Sequence, residues 1–300
     1  MAEFKKTMTR TGFAYFLILG GATVLQMGFV NIAAFVFPAL TDNYIFLSLV
    51  TALPIYILAL VAYLAIIRKM PAAVNADTRK ISVGRFLLLL IFCLGMMYFL
   101  NIVSNYITYF IAFLKGRAVI NPLQEGVEMG GIAFTVLYAC IAAPIFEEII
   151  FRKMLWRAVG RYGERIFVVT SAVIFGAFHG NLSQLLYAAA IGAVLAMIYS
   201  RTGKLRYCIF MHMALNFIGS LIVPTLMTSG GTYAPAMIYG LIVLTILYTG
   251  ITLALYGRNI HLRDNGEELP ERALRCEFSS VGMVIYLLCA LTLTTIMTVV

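Results

Sequence analysis

Apolar blocks of about 20 residues recur along the whole chain, separated by short polar connections. They fall at residues 12–38, 44–67, 86–114, 130–151, 166–180, 184–200, 205–227, 236–256 and 281–300. A helix of about 20 apolar residues crosses the roughly 30 Å hydrocarbon layer. None of the blocks alternates apolar and polar residues as a membrane barrel strand does, so helices are the expected elements. The pattern predicts an all-α, polytopic transmembrane helical bundle of nine spans, or eight if two segments are re-entrant, because the fifth block is short. With blocks from end to end, residues 1–300 form a single integral membrane domain.

Polar positions orient these blocks. Lys5, Lys6 and Arg10 precede the first block, and Arg68, Lys69, Arg79, Lys80 and Arg85 follow the second. Arg152, Lys153, Arg157, Arg161 and Arg165 follow the fourth, Arg201, Lys204 and Arg206 the sixth, and Arg258, Arg263, Arg272 and Arg275 the eighth. The alternate connections are nearly uncharged, apart from Lys115 and Arg117 beside Glu125 and Glu128. By the positive-inside rule the N-terminus is expected in the cytoplasm and, with nine spans, the C-terminus outside. A plasma-membrane location is expected for a prokaryotic source. The basic start resembles a signal peptide, but the apolar stretch over 12–40 is too long for one, so a retained first span is expected.

Composition agrees with the pattern: 62% of the 300 residues are hydrophobic and 12% charged, far from a soluble domain. The net charge of +9 lies in loop clusters and not on one basic face, which argues against nucleic acid as a partner. Membrane lipids are the expected surroundings. Five scattered cysteines form no CxxC pair and read as packing residues.

Of the 13 acidic residues, only Glu147 and Glu148 lie within an apolar segment, PIFEEIIF. A charge near the bilayer centre costs about 2.5–3.5 kcal/mol on insertion scales, so such residues need partners and mark candidate sites. Two of the three histidines, His179 in FGAFHG and His212 in MHMALNF, are also in apolar segments. Helical spacing pairs Glu148 with Arg152, Phe175 with His179, and His212 with Asn216 on single faces. A turn near 160–163 places Glu147 and His179 at similar depths, roughly 20–24 Å along antiparallel helices. His212 is less constrained in depth. Each motif alone has a structural reading: a helix-end ion pair, a packed histidine, or an interhelical hydrogen bond.

Together, EExxxR (Glu147, Glu148, Arg152), FxxxH (Phe175, His179) and HxxxN (His212, Asn216) resemble the CAAX prenyl protease and bacteriocin-processing (CPBP, or Abi) family of intramembrane glutamic endopeptidases. The motifs lie in a core region, 129–227. One departure is Lys153, where many members have glycine. The resemblance implies a membrane-embedded peptidase in which Glu147 and His179 activate a water, with His212 and Asn216 donating to the oxyanion. Both sets of roles are chemically reasonable for these side chains. Arg152 compensates Glu148, so Glu148 is expected to be partly structural and Glu147 the chemical carboxylate. The partner is then a peptide or protein substrate, lipidated in some members of the family. Two other readings remain open: a non-proteolytic immunity or accessory protein, and a proton-coupled transporter. No cofactor is assured, and zinc is the minority reading, since Glu and His suit it but HExxH is absent.

Overall fold

The computed structural model describes residues 1–71, 73, 76, 78–116, 122–263 and 266–299. Arg117, named above, and the last residue of the 281–300 block lie outside them. The described residues form helices and no strands. They are α1 (Ala2–Val36), α2 (Tyr44–Lys69), α3 (Val83–Lys115), α4 (Met129–Tyr162), α5 (Glu164–Phe178), α6 (Leu182–Thr202), α7 (Leu205–Thr228), α8 (Ala234–Asn259), α9 (Ala273–Phe278) and α10 (Val281–Val299).

Seven of these helices are long and apolar enough to cross a membrane. Two of the nine blocks fall short of that length and composition. One is α10, whose apolar part runs over Val281–Met297. The other is α5, whose 15 residues rise only about 22 Å, less than the hydrocarbon thickness. The α5–α6 turn, which carries His179, is therefore an interior turn whose polar groups must be satisfied by the protein. Asn181 does this. Its side chain caps α6 by accepting from Gln184 N (2.9 Å), and its Nδ2 donates to His179 O (2.9 Å) and Gln184 Oε1 (2.7 Å).

Helices with little difference in hydropathy pack very differently. In the most apolar windows, 44% of α6 is buried within the protein but only 11% of α8. Close approach needs small residues, because packing rather than hydrophobic transfer holds helices together in lipid. A Cβ on Gly12 would stand 2.2 Å from the Gly282 carbonyl carbon, so α1 and α10 meet backbone to backbone. Likewise, a Cβ on Gly176 would lie 2.7 Å from Ala189 Cβ, which brings α5 onto α6. The sharp reversal from α4 to α5 uses Gly163 at φ 91°, within the turn expected from the sequence.

Candidate active site

Helix α4 is irregular around its acidic pair. The six-residue stretch Ala143–Glu148 is flanked by π-helical turns at Val136–Ala142 and Ile149–Met154. Pro144 gives a physical cause for the first, since it has no N–H to donate and its ring pushes the preceding turn wider. The same pattern recurs on α7, where a π-helical turn over Phe217–Ile222 precedes Pro224. Such turns leave carbonyls without their usual partners, and other helices supply donors. Asn216 Nδ2 donates to Ala139 O (2.9 Å), and the buried Tyr15 hydroxyl of α1 donates to Ile150 O (2.7 Å). These bonds fix α4 on both sides of the carboxylates.

The two carboxylates have different surroundings. Glu148 is fully buried, with Arg152 Nε 2.9 Å from Oε2 and Arg152 Nη2 donating to Oε1 at 3.2 Å. The Nε–H is not aimed at Oε2, so the 2.9 Å contact is Coulombic rather than a directed hydrogen bond. His212 Nδ1 also meets Oε1, at 2.9 Å. Arg152, itself fully buried, donates from Nη1 to Ser171 Oγ (2.8 Å) and lies over the Phe175 ring, 4.7 Å from its centroid. Glu148 is thus committed to internal partners.

Glu147, one residue earlier, keeps 27% of its side chain accessible, and its Oε2 is 3.7 Å from His212 Nε2. It also acts electrostatically on His179, although no hydrogen bond joins the two among the described residues. Tyr56, Tyr138 and Tyr187 lie within electrostatic range of the same carboxylate.

Hydrogen-bond chemistry assigns the imidazole tautomers. His179 Nδ1 lies 2.8 Å from Phe175 O, which can only accept, so Nδ1 carries the proton and Nε2 presents a lone pair. By the same reasoning, the Glu148 carboxylate holds the proton of His212 on Nδ1. Phe175 separates and aligns the rings, standing edge to face with His179 (5.0 Å between centroids) and with His212 (5.7 Å).

The structure therefore gathers Glu147, Glu148, Arg152, Phe175, His179 and His212 from α4, α5 and α7, and brings His212 close to both carboxylates, while Asn216, one turn beyond His212, bonds to Ala139 O. The sequence reading did not find Ser171, Tyr15, Tyr56 or Tyr138. Ser171 had a signal, since Ser171, Phe175 and His179 follow one another at i, i+4 and i+8 on one face. As for metal, no group of three or more His, Cys, Asp or Glu side chains converges as a ligand set among the described residues.

A polytopic helical membrane protein with carboxylates and imidazoles meeting between three helices defines the class. Residues 129–218 match the family model for type II CAAX prenyl endopeptidase Rce1-like proteins. The chain carries this Rce1-like region, and with it the family resemblance read from the three motifs is borne out. The protein named "Putative membrane peptidase YdiL" of Bacillus subtilis (strain 168) is 31% identical over 162 residues. That alignment covers 54% of this chain and 66% of the relative, so the chain spans just under two thirds of the relative's length. No solved structure matches the chain.

Proposed function

We propose that the protein is an intramembrane endopeptidase of the CAAX protease-like kind, which hydrolyses a peptide bond with a water activated by Glu147 and His179. The observation that carries this reading is the contrast between the two adjacent carboxylates: Glu148 is fully buried and held by Arg152 and His212, whereas Glu147 is partly accessible, 3.7 Å from the His212 imidazole. A general base has to be free to reach its proton, and Glu147 is the free one.

In the proposed reaction, the His179 Nε2 lone pair orients the water by accepting one O–H, and Glu147 takes the other proton as oxygen attacks the peptide carbonyl. A C–O bond forms and the carbonyl π electrons move to oxygen. The second amide hydrogen of Asn216 donates to that oxyanion, and His212 Nε2 does so when the ring carries both protons. Collapse breaks the C–N bond, and Glu147 returns its proton to the departing amine. Glu148 and Arg152 hold His212 in place. The substrate is a peptide or protein segment reaching the membrane, and the site works with the N-terminus in the cytoplasm, at the plasma membrane for a prokaryotic source. The metal-free scheme is preferred to the zinc alternative because HExxH is absent from the chain.

The test compares peptide fragments in membranes of cells producing the wild-type chain, Glu147→Gln or His179→Ala at equal levels. Fragments present with the wild type and missing with both variants are expected. Full retention of those fragments by both variants would remove the proposed site.

A further inference from the structure

His179 stands where α5 stops being regular. In an unbroken helix its N–H would donate to Phe175 O, four residues back. Instead the His179 N–H reaches Gly176 O at 3.4 Å, longer than the usual range of about 2.7–3.2 Å, and Gly180 N reaches Ala177 O at 3.2 Å. Phe175 O is taken by the His179 ring, through Nδ1 at 2.8 Å. Ring and backbone have changed places, so the orientation of the imidazole depends on how the last turn of α5 is held, and the helix's own ladder holds it weakly.

The firmer hold comes from α6. Gly180 takes φ 61°, a conformation open to glycine, and the chain turns so that the Asn181 side chain meets the backbone of His179. Asn181 Nδ2 donates at 2.9 Å to His179 O, one of the last carbonyls of α5, and at 2.7 Å to Gln184 Oε1. Its Oδ1 accepts from Gln184 N at 2.9 Å. With the oxygen on an N–H and the nitrogen between two oxygens, the amide has a single orientation. Gln184 also hydrogen-bonds the Tyr187 hydroxyl, which lies within electrostatic range of Glu147. The third residue of this turn, Ser183, meets α3 through two long contacts, Asn101 Nδ2 to its carbonyl at 3.5 Å and its Oγ to Thr108 Oγ1 at 3.4 Å.

We infer that Asn181 is a positioning residue for His179, its amide N–H setting where the imidazole Nε2 stands relative to Glu147. That role is separable from its role as a helix cap, because the cap uses the oxygen and the hold on His179 uses the nitrogen. A displacement of about 1 Å at a reacting group costs on the order of 10²-fold in rate. The effect on turnover rests on the endopeptidase reading; the hold on the ring does not, and one arm of the test reads it directly.

Asn181→Asp keeps the cap acceptor and the side-chain shape but has no N–H. Asn181→Ser keeps a cap of similar strength, with a donor one bond shorter and no added charge. These variants, the wild type and Asn101→Ala are compared as full-length proteins in proteoliposomes. Melting temperature is measured, with kcat and KM for a membrane peptide whose fragments appear with the wild type. The third measurement is diethyl pyrocarbonate labelling of His179, read by mass spectrometry against the exposed His261 in the same sample. Both Asn181 variants should keep KM and melt within a few degrees of the wild type, while kcat falls roughly ten- to hundredfold. Labelling of His179 should rise roughly two- to fivefold as the ring is loosened. Asn101→Ala should match the wild type in kcat and in labelling. If the added charge of Asn181→Asp prevents folding, Asn181→Ser decides alone. Wild-type kcat and labelling in Asn181→Ser overturn the inference, as does a loss of kcat that Asn101→Ala shares. If even the wild type cleaves nothing, the endopeptidase reading fails and labelling still decides: a raised ratio at a wild-type melting temperature supports the inference, and an unchanged ratio overturns it.

Discussion

Glu147 and Glu148 are neighbours in sequence, yet the regions they enter have little in common. Glu148 points into a closed centre in which Arg152, His212, Ser171 and Phe175 leave no access to solvent. Glu147 keeps part of its side chain accessible and stands 3.7 Å from His212 Nε2. Two identical side chains acquire different surroundings because the closed region supplies compensating charge and the open region leaves the carboxylate accessible. A third carboxylate sharpens the contrast. Glu277, in α9 outside the spanning segments, is also fully buried but has only Thr170 as a donor, and Oε2 has no partner among the described residues. Burial pushes its pKa up to about 8.

The comparison can be broken most forcefully at Arg152. Replacing it with alanine strands a buried carboxylate, and thermal unfolding in detergent should show a loss of about 3–5 kcal/mol. Combining Arg152→Ala with Glu148→Gln should recover part of that loss; no recovery would mean that the ion pair is not the source of the stability.

Glu277 should respond to pH instead. Its folded pKa of about 8 lies above the ordinary 4.5, so the native state holds a proton that the unfolded chain releases. The contribution of Glu277 to stability should be fully present below pH 4.5, fall as pH rises from 4.5 to 8 and level off above that. Glu277→Gln should flatten this profile, matching the wild type at the acid end and exceeding it at pH 8 by on the order of a few kcal/mol. A wild-type profile flat across that window would contradict the assignment.

The smallest effect belongs to Tyr15. Phenylalanine there leaves the Ile150 carbonyl unpaired in the turn behind Glu148, which should lower stability by about 1 kcal/mol. Catalytic rate should fall with it if the turn sets the carboxylate's position, whereas an unchanged rate would limit Tyr15 to stability.

Much of this was legible in the sequence because it is local. The apolar blocks located every helix that packs across the bundle, the turn at Gly163 fell where it was expected, and i, i+4 spacing paired Glu148 with Arg152. What was hidden depends on contacts between distant segments. Depth counting along α4 and α5 put Glu147 with His179, but it could not show that His212 Nε2 comes to 3.7 Å from Glu147 and Nδ1 to 2.9 Å from Glu148. The π-helical turns change the rotation of α4 without any apolar period of their own, although Pro144 and Pro224 mark two of them. Tyr15 acts on a carbonyl 135 residues away, and no pattern within α1 announces that.

The central claim is that the open carboxylate does the chemistry and the closed one holds the site. Cleavage rate and melting temperature, measured together on purified wild type, Glu147→Gln and Glu148→Gln in proteoliposomes with a fragment-yielding membrane peptide, test it most directly. Glu147→Gln should lose about 10²–10⁴ in rate with its melting temperature unchanged, while Glu148→Gln should melt several degrees lower. Wild-type cleavage by Glu147→Gln, or a lowered melting temperature for Glu147→Gln with none for Glu148→Gln, would contradict the account.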